Sequence, residues 1–344
     1  MLEQLITAAV SPGGVPVSAG VPGAVAMAGR GPSVLETASA GYPADTVFDL
    51  ASLTKVVATT TITLALGIDL AAEVCDFVPA PLWSGVTVRH LLTHTSGLPD
   101  TRKFYQWCTD RLSLIDSLYS TPLEVPPGTR VTYSDLGFIT LGEIVAAVTG
   151  EPLNAAVRRL VLEPLGMTSS GFLPLACFPP SRFAPTTEPD TGLPPPGVVH
   201  DENARVLGGV AGHAGLFATA ADLARFAQWW VSGSDDGPVP VSVRRMATTC
   251  QTEGLPGADG FPGRRGFGWV CLGDRYDILG SSGGAWPATS VSHTGFTGTS
   301  LALDPESGLW VVLLTNGVHH GRDATAVKAL RRAVHKAVAT EYLP

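Results

Sequence analysis

The strand-like and helix-like segments of this 344-residue chain are unevenly distributed, and this constrains the fold more than any other feature. Near the start, GAVAMAGR and SVLETASAGY flank the Gly31-Pro32 turn and predict a β-hairpin. Near the end, FGWVCLG and TSLALDPESGLWVVLLTN predict further antiparallel strands, and DATAVKALRRAVHKAVATEY has the apolar period of a helix. Strands from both ends of the chain are therefore expected to share one sheet.

The middle of the chain differs, because helical patterns such as LGFITLGEIVAAVTG and LNAAVRRLVLEPLGM alternate there with loops rich in proline and glycine. The stretch 178–197 is predicted to be a polyproline-like loop outside the core. Because the chain is longer than a single core usually supports, we expect an α+β fold in two lobes. The sheet lobe would comprise residues 1–67 and 235–344, and the mostly helical lobe residues 68–234.

Charge and cysteine usage narrow the classes of function. The net charge is −8, the pI is about 5.4, and basic residues cluster only briefly near Arg264 and Arg331, so nucleic acid is not an expected partner. The five cysteines form no Cys-x-x-Cys pair, and their odd number suits a reducing compartment. The segment 56–70 is too short and polar to span a bilayer, and the N-terminus lacks the basic region of a signal peptide. We expect a cytoplasmic protein without a membrane partner.

A serine and a lysine begin a long, otherwise uncharged segment, SLTKVVATTTITLALG, that ends at Gly67. In a helix, positions three apart share a face, so Ser52 Oγ and Lys55 Nζ can meet. Loss of solvation would lower the pKa of the Lys55 amine and make it available as a base. The same spacing is also compatible with an N-capping serine and a lysine that extends to solvent.

Two further motifs follow in the chain. Tyr133-Ser134-Asp135 precedes a helical pattern, and His293-Thr294-Gly295 opens a strand region. The order S-x-x-K, Y-x-(N/D), (K/H)-T-G resembles the three-part signature of the β-lactamase and penicillin-binding family. The similarity spans most of the chain and includes GYPADTVFDLASLTK, VTVRHLLTHTSGLP, PPGTRVTYSDLGFITLGEIV, VLEPLGMTSSGF and GGVAGHAGLFATAADLARFAQ.

This resemblance implies a β-lactamase/transpeptidase-like fold with the active site between the two lobes. It implies that Ser52 attacks a carbonyl while Lys55 and Tyr133 share the general acid–base work. The backbone N–H groups of Ser52 and Phe296 would form the oxyanion hole, and water would hydrolyse the acyl-enzyme. No metal or organic cofactor is implied. The resemblance assigns substrate binding to Asp135, His293, Thr294 and Gly295.

Two positions depart from the pattern of family members that act on β-lactams, which commonly have Asn where this chain has Asp135 and Lys where it has His293. A mostly neutral imidazole binds a substrate carboxylate weakly, and a pKa near 6.5 would make activity follow the charge of His293. Asp135 would favour the ammonium form of Lys55, which makes Tyr133 the preferred base. We therefore do not expect an efficient β-lactamase, and we prefer a site role for His293 to a structural one.

Two other polar clusters have alternative interpretations. His200-Asp201-Glu202-Asn203 is compatible with a cleft-lining loop and with turn chemistry from Asp and Asn, and the sequence leaves both open. His90 and His94 have the i, i+4 spacing of a metal pair, but no HExxH glutamate accompanies them, so a structural use is predicted.

The leading hypothesis is an acyl hydrolase for a small-molecule ester, amide or peptide-like substrate. Three substrate classes compete: a carboxylic ester, a cell-wall peptide or muropeptide amide, and a β-lactam. The alternative from a different class is a penicillin-binding sensor that is acylated without turnover. The sequence leaves the natural acyl group and the oligomeric state open.

Overall fold

The computed structural model describes residues 1–10, 20–187, 194–258, 260–283 and 286–343. Its strands form a six-stranded sheet in the order β2-β1-β9-β8-β7-β6 and a small sheet in the order β3-β5-β4. The strands are β1 (Ala24–Arg30), β2 (Ser33–Ala40), β3 (Phe48–Asp49), β4 (Gly171–Phe172), β5 (Leu216–Ala218), β6 (Val270–Cys271), β7 (Val291–Thr294), β8 (Ser300–Leu303) and β9 (Leu309–Thr315).

Neighbouring strands in both sheets are antiparallel. In the large sheet, β1 pairs with β2 across the Gly31-Pro32 turn and with β9 on its other side. Strands from the two ends of the chain therefore lie side by side, which confirms the predicted shared sheet.

The other regular elements of the described residues are helices, and most of them lie in the middle of the sequence. Short 3-10 turns occur at Val74–Asp76, Phe104–Gln106, Pro174–Ala176, Pro180–Arg182 and Gly280–Ser282, and π-helical segments at Lys55–Thr60 and Arg158–Leu162. The α-helices are α1 (Leu2–Ala9), α2 (Thr61–Ala65), α3 (Val88–Leu92), α4 (Arg111–Tyr119), α5 (Asp135–Thr149), α6 (Leu153–Val157), α7 (Glu202–Val206), α8 (Ala220–Val231), α9 (Val241–Thr248) and α10 (Thr325–Tyr342). In the described part of the chain no single helix is long and apolar enough to cross a membrane. The helices Asp135–Thr149 and Leu153–Leu162 reach that length and apolar composition only when taken together, and the chain bends by 79° between them.

The two faces of the large sheet pack against different helices. In β9, Val311 and Leu313 belong to the core cluster that includes α1 and α10, whereas Val312 and Leu314 belong to the cluster on the opposite face. This alternation follows from the two-residue period of a strand. On α10, the apolar period predicts a stripe of Ala326, Leu330, Val334 and Val338, of which the last three are buried against the sheet and Ala326 is partly buried.

The position of α8 bears on the proposed lobes. This helix packs on β1 and β9, although the boundary expected at 234/235 would assign it to the helical lobe. The two-lobe division stays a prediction, and we propose moving its second boundary to just before Thr219, the N-cap of α8.

The proline-rich stretch lies partly outside the described residues, which omit 188–193. The expectation that it contributes nothing to the core is wrong for its first part. Phe183 and Ala184 are buried, and Val47 exchanges backbone hydrogen bonds with this segment, because its N–H donates to Arg182 O at 2.9 Å and its carbonyl accepts from Ala184 N–H at 3.0 Å.

Candidate active site

Ser52 follows a tight turn at the end of β3. Ala51 has a φ of 46°, in the left-handed region that residues with a side chain rarely adopt. The Asp49 carboxylate stabilises this turn by accepting the Ala51 N–H at 2.8 Å. The turn leaves Ser52 half-buried on the wall of a cleft, directly before the helical segment that carries Lys55.

Lys55 is fully buried and all three of its ammonium donors have partners. Its Nζ lies 3.0 Å from Ser52 Oγ, 3.1 Å from the carbonyl oxygen of His213 and 2.7 Å from Asp135 Oδ1. Burial lowers the pKa of Lys55, but Asp135 and, to a smaller extent, Tyr133 together more than offset this, so the net pKa is raised. The lowered pKa expected from loss of solvation is therefore wrong, whereas the ammonium form that Asp135 was expected to favour agrees with the direction of this shift.

Tyr133 completes this group of side chains. Its ring centroid lies 5.0 Å from Lys55 Nζ. Burial raises the pKa of the Tyr133 phenol, and the positive charge of Lys55 opposes this rise without cancelling it. The structure thus brings Ser52, Lys55 and Tyr133 together as the sequence predicts, while their catalytic roles stay a prediction.

The loop before α5 positions both Tyr133 and Asp135. Ser134 caps α5 by accepting the Gly137 N–H at 3.3 Å, and its hydroxyl donates to Pro99 O at 2.6 Å. His94 Nδ1 accepts the Ser134 N–H at 3.0 Å. His90 Nδ1 likewise accepts the Thr87 N–H at 3.2 Å. Both histidines thus bind backbone groups nearby, as the structural interpretation predicts.

The His293-Thr294-Gly295 motif ends β7 and packs directly on the nucleophile turn. A Cβ at Gly295 would lie 2.3 Å from Leu50 O and 2.1 Å from Thr299 Oγ1, so only glycine fits without a shift. The Thr299 hydroxyl donates to Leu50 O at 3.1 Å. This close approach fixes the loop after β7 against the residues that precede Ser52.

The two predicted oxyanion donors lie on either side of this contact. The structure records no acceptor for the backbone N–H of Ser52 or of Phe296 in the described part of the chain. The Phe296 side chain is 53% exposed and lines the same cleft as Ser52. Both N–H groups are therefore available to an oxyanion, as the oxyanion-hole prediction requires.

His293 is buried beside the cationic side chains of the site. Its Nδ1 lies 3.0 Å from Thr294 O, and because a carbonyl only accepts, Nδ1 carries the proton. Burial, Lys55 and Arg265 hold the pKa of His293 well below its usual value near 6.5. The expectation that His293 titrates in the working range is therefore wrong, since its surroundings keep it neutral.

The sequence analysis missed Arg265 as a site residue. Arg265 is 1% exposed and forms a salt bridge with the equally buried Asp274, with Nη2 2.9 Å from Oδ1. Its guanidinium lies 5.5 Å from the Tyr133 ring centroid and 5.3 Å from that of Tyr276. A basic run was visible there in the sequence, but nothing in the pattern indicated that Arg265 turns inward.

The cluster at 200–203 combines the two interpretations left open by the sequence. Asp201 caps α7 and lies 2.9 Å from His213 Nε2, and Asn203 accepts the Tyr105 N–H at 3.1 Å. All four residues also line the cleft. The cluster therefore performs local turn chemistry and forms one wall of the site.

The cleft has a volume of about 390 Å³. A neighbouring cavity of about 440 Å³ shares three of its lining residues, Tyr133, Arg265 and Tyr276. The other wall residues include Thr101, Lys103, Tyr105, Ala214, Val270 and Arg322, besides the motif residues described above.

Comparisons with known proteins show the family and the fold. Residues 2–336 match the Beta-lactamase family model. A protein from Escherichia coli O157:H7 named putative D-alanyl-D-alanine carboxypeptidase is 29% identical over 80% of this chain and 70% of its own length. The N-acetylmuramyl-L-alanine amidase of Bacillus subtilis is 30% identical over 88% of this chain and 79% of its own length. A solved beta-lactamase structure from Mycobacterium bovis superimposes with a TM-score of 0.65 at 26% identity, covering 95% of this chain and 97% of that one, which confirms the predicted fold class.

Proposed function

The chain belongs to the beta-lactamase family of serine hydrolases, and from this premise we propose that it cleaves carboxylic esters through an acyl-enzyme formed on Ser52. The observation that carries this proposal is the 3.0 Å contact between Ser52 Oγ and Lys55 Nζ, beside the Tyr133 ring. A hydroxyl next to a buried ammonium and a tyrosine has a partner that, once ionised, accepts its proton and returns it to a leaving group.

Tyr133 is the preferred base in this proposal. Since Asp135 keeps Lys55 in the ammonium form, the lysine serves mainly to stabilise negative charge on the Tyr133 oxygen and on Ser52 as the proton leaves. In its phenolate form Tyr133 accepts the proton of Ser52, and this proton is then available for the leaving oxygen. Water then attacks the acyl-enzyme with the help of the same proton partners and releases the acid.

The charge of His293 and the pairing of two cleft arginines support an uncharged acyl group. His293 stands neutral where family members active on β-lactams commonly have a lysine, so this motif offers no cation to a substrate carboxylate. Two arginines of the cleft are already paired, Arg265 with Asp274 and Arg322 with Glu202. The exposed Phe296 ring adds an apolar surface beside the proposed oxyanion hole.

A muropeptide amide is the second candidate. The observation that favours it is the likeness to the amidase from Bacillus subtilis, which extends over 88% of this chain. The same proton partners would serve an amide, whose leaving nitrogen needs protonation.

A labelling and turnover experiment tests the proposal. The parent and Ser52→Ala would be treated with a fluorophosphonate probe and assayed on p-nitrophenyl esters of several chain lengths, a muropeptide and benzylpenicillin. We expect labelling and ester turnover in the parent and neither in Ser52→Ala, with the fold intact. Labelling without turnover would identify a sensor instead, faster turnover of the muropeptide or penicillin would replace the ester, and a labelled Ser52→Ala would exclude Ser52.

A further inference from the structure

One buried arginine lies behind the proposed oxyanion hole. Arg331 extends from α10, and its Nη2 donates to Gly295 O at 2.7 Å and to Thr299 O at 2.6 Å. Only 9% of the residue is exposed. Both carbonyls belong to the loop that follows β7, the loop that also carries the Phe296 N–H.

Among the residues that the structure describes, the charge of Arg331 has no partner of opposite sign. Within the described residues no carboxylate lies in salt-bridge contact with it, and its Nε makes no hydrogen bond. Burial lowers the pKa of Arg331 to about 10, so the guanidinium stays charged at neutral pH. An unpaired buried cation is strongly unfavourable, and a protein that keeps one needs a compensating anion.

Satisfying the two carbonyls does not explain this cation. Gly295 O also accepts the Gly298 N–H at 3.1 Å, and Thr299 O also accepts the Gly295 N–H at 2.8 Å. A neutral side chain at 331 would therefore leave each carbonyl with a backbone donor. The positive charge itself is the feature that needs a function.

We propose that Arg331 is a positioning residue that strengthens the Phe296 N–H as an oxyanion donor. The Gly295 carbonyl and the Phe296 N–H are the two ends of one peptide group, so a charge-assisted hydrogen bond at the oxygen makes the N–H a stronger donor. The fixed charge also stabilises an anion on the far side of that peptide.

The compensating anion forms only during the reaction. When Ser52 Oγ bonds to the acyl carbon, the carbonyl π electrons move onto its oxygen and the hydroxyl proton passes to Tyr133 in its phenolate form. The resulting oxyanion faces the Phe296 N–H, and Arg331 lies behind the same peptide. This inference rests on the proposed function of Ser52.

The test compares Arg331→Met and Arg331→Lys with Arg332→Met, which removes the same charge from the exposed neighbouring position of α10. For a p-nitrophenyl ester we expect Arg331→Met to lose about tenfold in kcat, less than the loss of a whole oxyanion donor, with KM changed by less than about twofold. Its melting temperature should stay the same or rise, because an unpaired buried cation is gone. Arg331→Lys should recover part of kcat, and Arg332→Met should match the parent.

A purely structural role would lower the melting temperature and kcat together, and that result would overturn the inference. The inference would also be overturned if Arg331→Met kept the kcat of the parent or failed to fold, or if the kcat of Arg331→Lys were no higher than that of Arg331→Met. If the parent itself neither turns over esters nor takes the fluorophosphonate label, the proposed function fails and this inference falls with it. If the parent is fully active and the substitutions of Arg331 leave kcat unchanged, only the inference about Arg331 fails.

Discussion

At the scale of single residues, the carboxylate of Asp135 determines which proton carriers the site can use. It lies 2.7 Å from Lys55 Nζ and raises the pKa of both Lys55 and Tyr133. Both groups are therefore protonated at neutral pH. Because the base must lose its proton first, we expect the activity of the parent to rise with pH above 7. His293 is held neutral, so no inflection is expected near 6.5.

Asp135→Asn should move this pH profile. Loss of the carboxylate lowers the pKa of Lys55 and Tyr133, so the base becomes available at lower pH and the rising limb of kcat/KM should shift downward. The measurement is kcat/KM for one neutral ester from pH 6 to 10 in the parent and the variant. A limb that stays in place, or moves upward, contradicts the role given to Asp135.

At the scale of elements, the active site depends on how closely the loop after β7 meets the turn after β3. Gly295→Ala inserts a Cβ that would lie 2.3 Å from the Leu50 carbonyl, so one of the two segments must shift. We expect about a hundredfold loss of kcat, because displaced oxyanion donors cost about that much, together with a lower melting temperature.

Gly233→Ala is the matched control for this substitution. A Cβ there meets nothing within 4 Å, so both activity and melting temperature should stay close to those of the parent. Parental kcat in Gly295→Ala would show that the loop tolerates displacement.

Elements with a strong period were predictable, and so was the sheet shared by the two ends of the chain, but the inward orientation of single charged side chains was not. The hairpin β1–β2 and the stripe on α10 follow from periods of two and of about 3.6 residues. The π-helical segment at Lys55–Thr60 was not foreseen, because its wider turn depends on what surrounds the helix. Arg265 and Arg331 both appeared in the sequence as short basic runs, and only the fold shows that each turns inward.

At the scale of the whole molecule, the buried carboxyl of Asp49 links folding to pH. Burial raises its pKa to about 6, although its oxygens accept the N–H groups of Ala51 and His200. A carboxyl whose pKa is higher in the folded state stabilises the fold most below its unfolded pKa of 3.8, and this contribution is lost as the pH rises through 6. The shift corresponds to about 3 kcal/mol.

Comparison with Asp49→Asn isolates this contribution. The free energy of unfolding of the parent minus that of the variant should fall as the pH rises from 4 to 7, because only the parent releases the proton. Denaturant titrations at half-unit pH steps would measure it. A difference that is flat with pH, or that grows toward pH 7, contradicts the raised pKa.

The pairing of β1 with β9 has a consequence for how the protein is made. A ribosome delivers β1 and the nucleophile turn early, but the loop that carries Phe296 follows more than 240 residues later, on the order of ten seconds or more at the usual rate of synthesis. During that interval β1 has no β9 to cover its open edge, and the nascent chain is exposed to wrong pairing. A folding transition that waits for such distant partners is expected to be slow, so we expect newly made chains to need protection until β9 emerges.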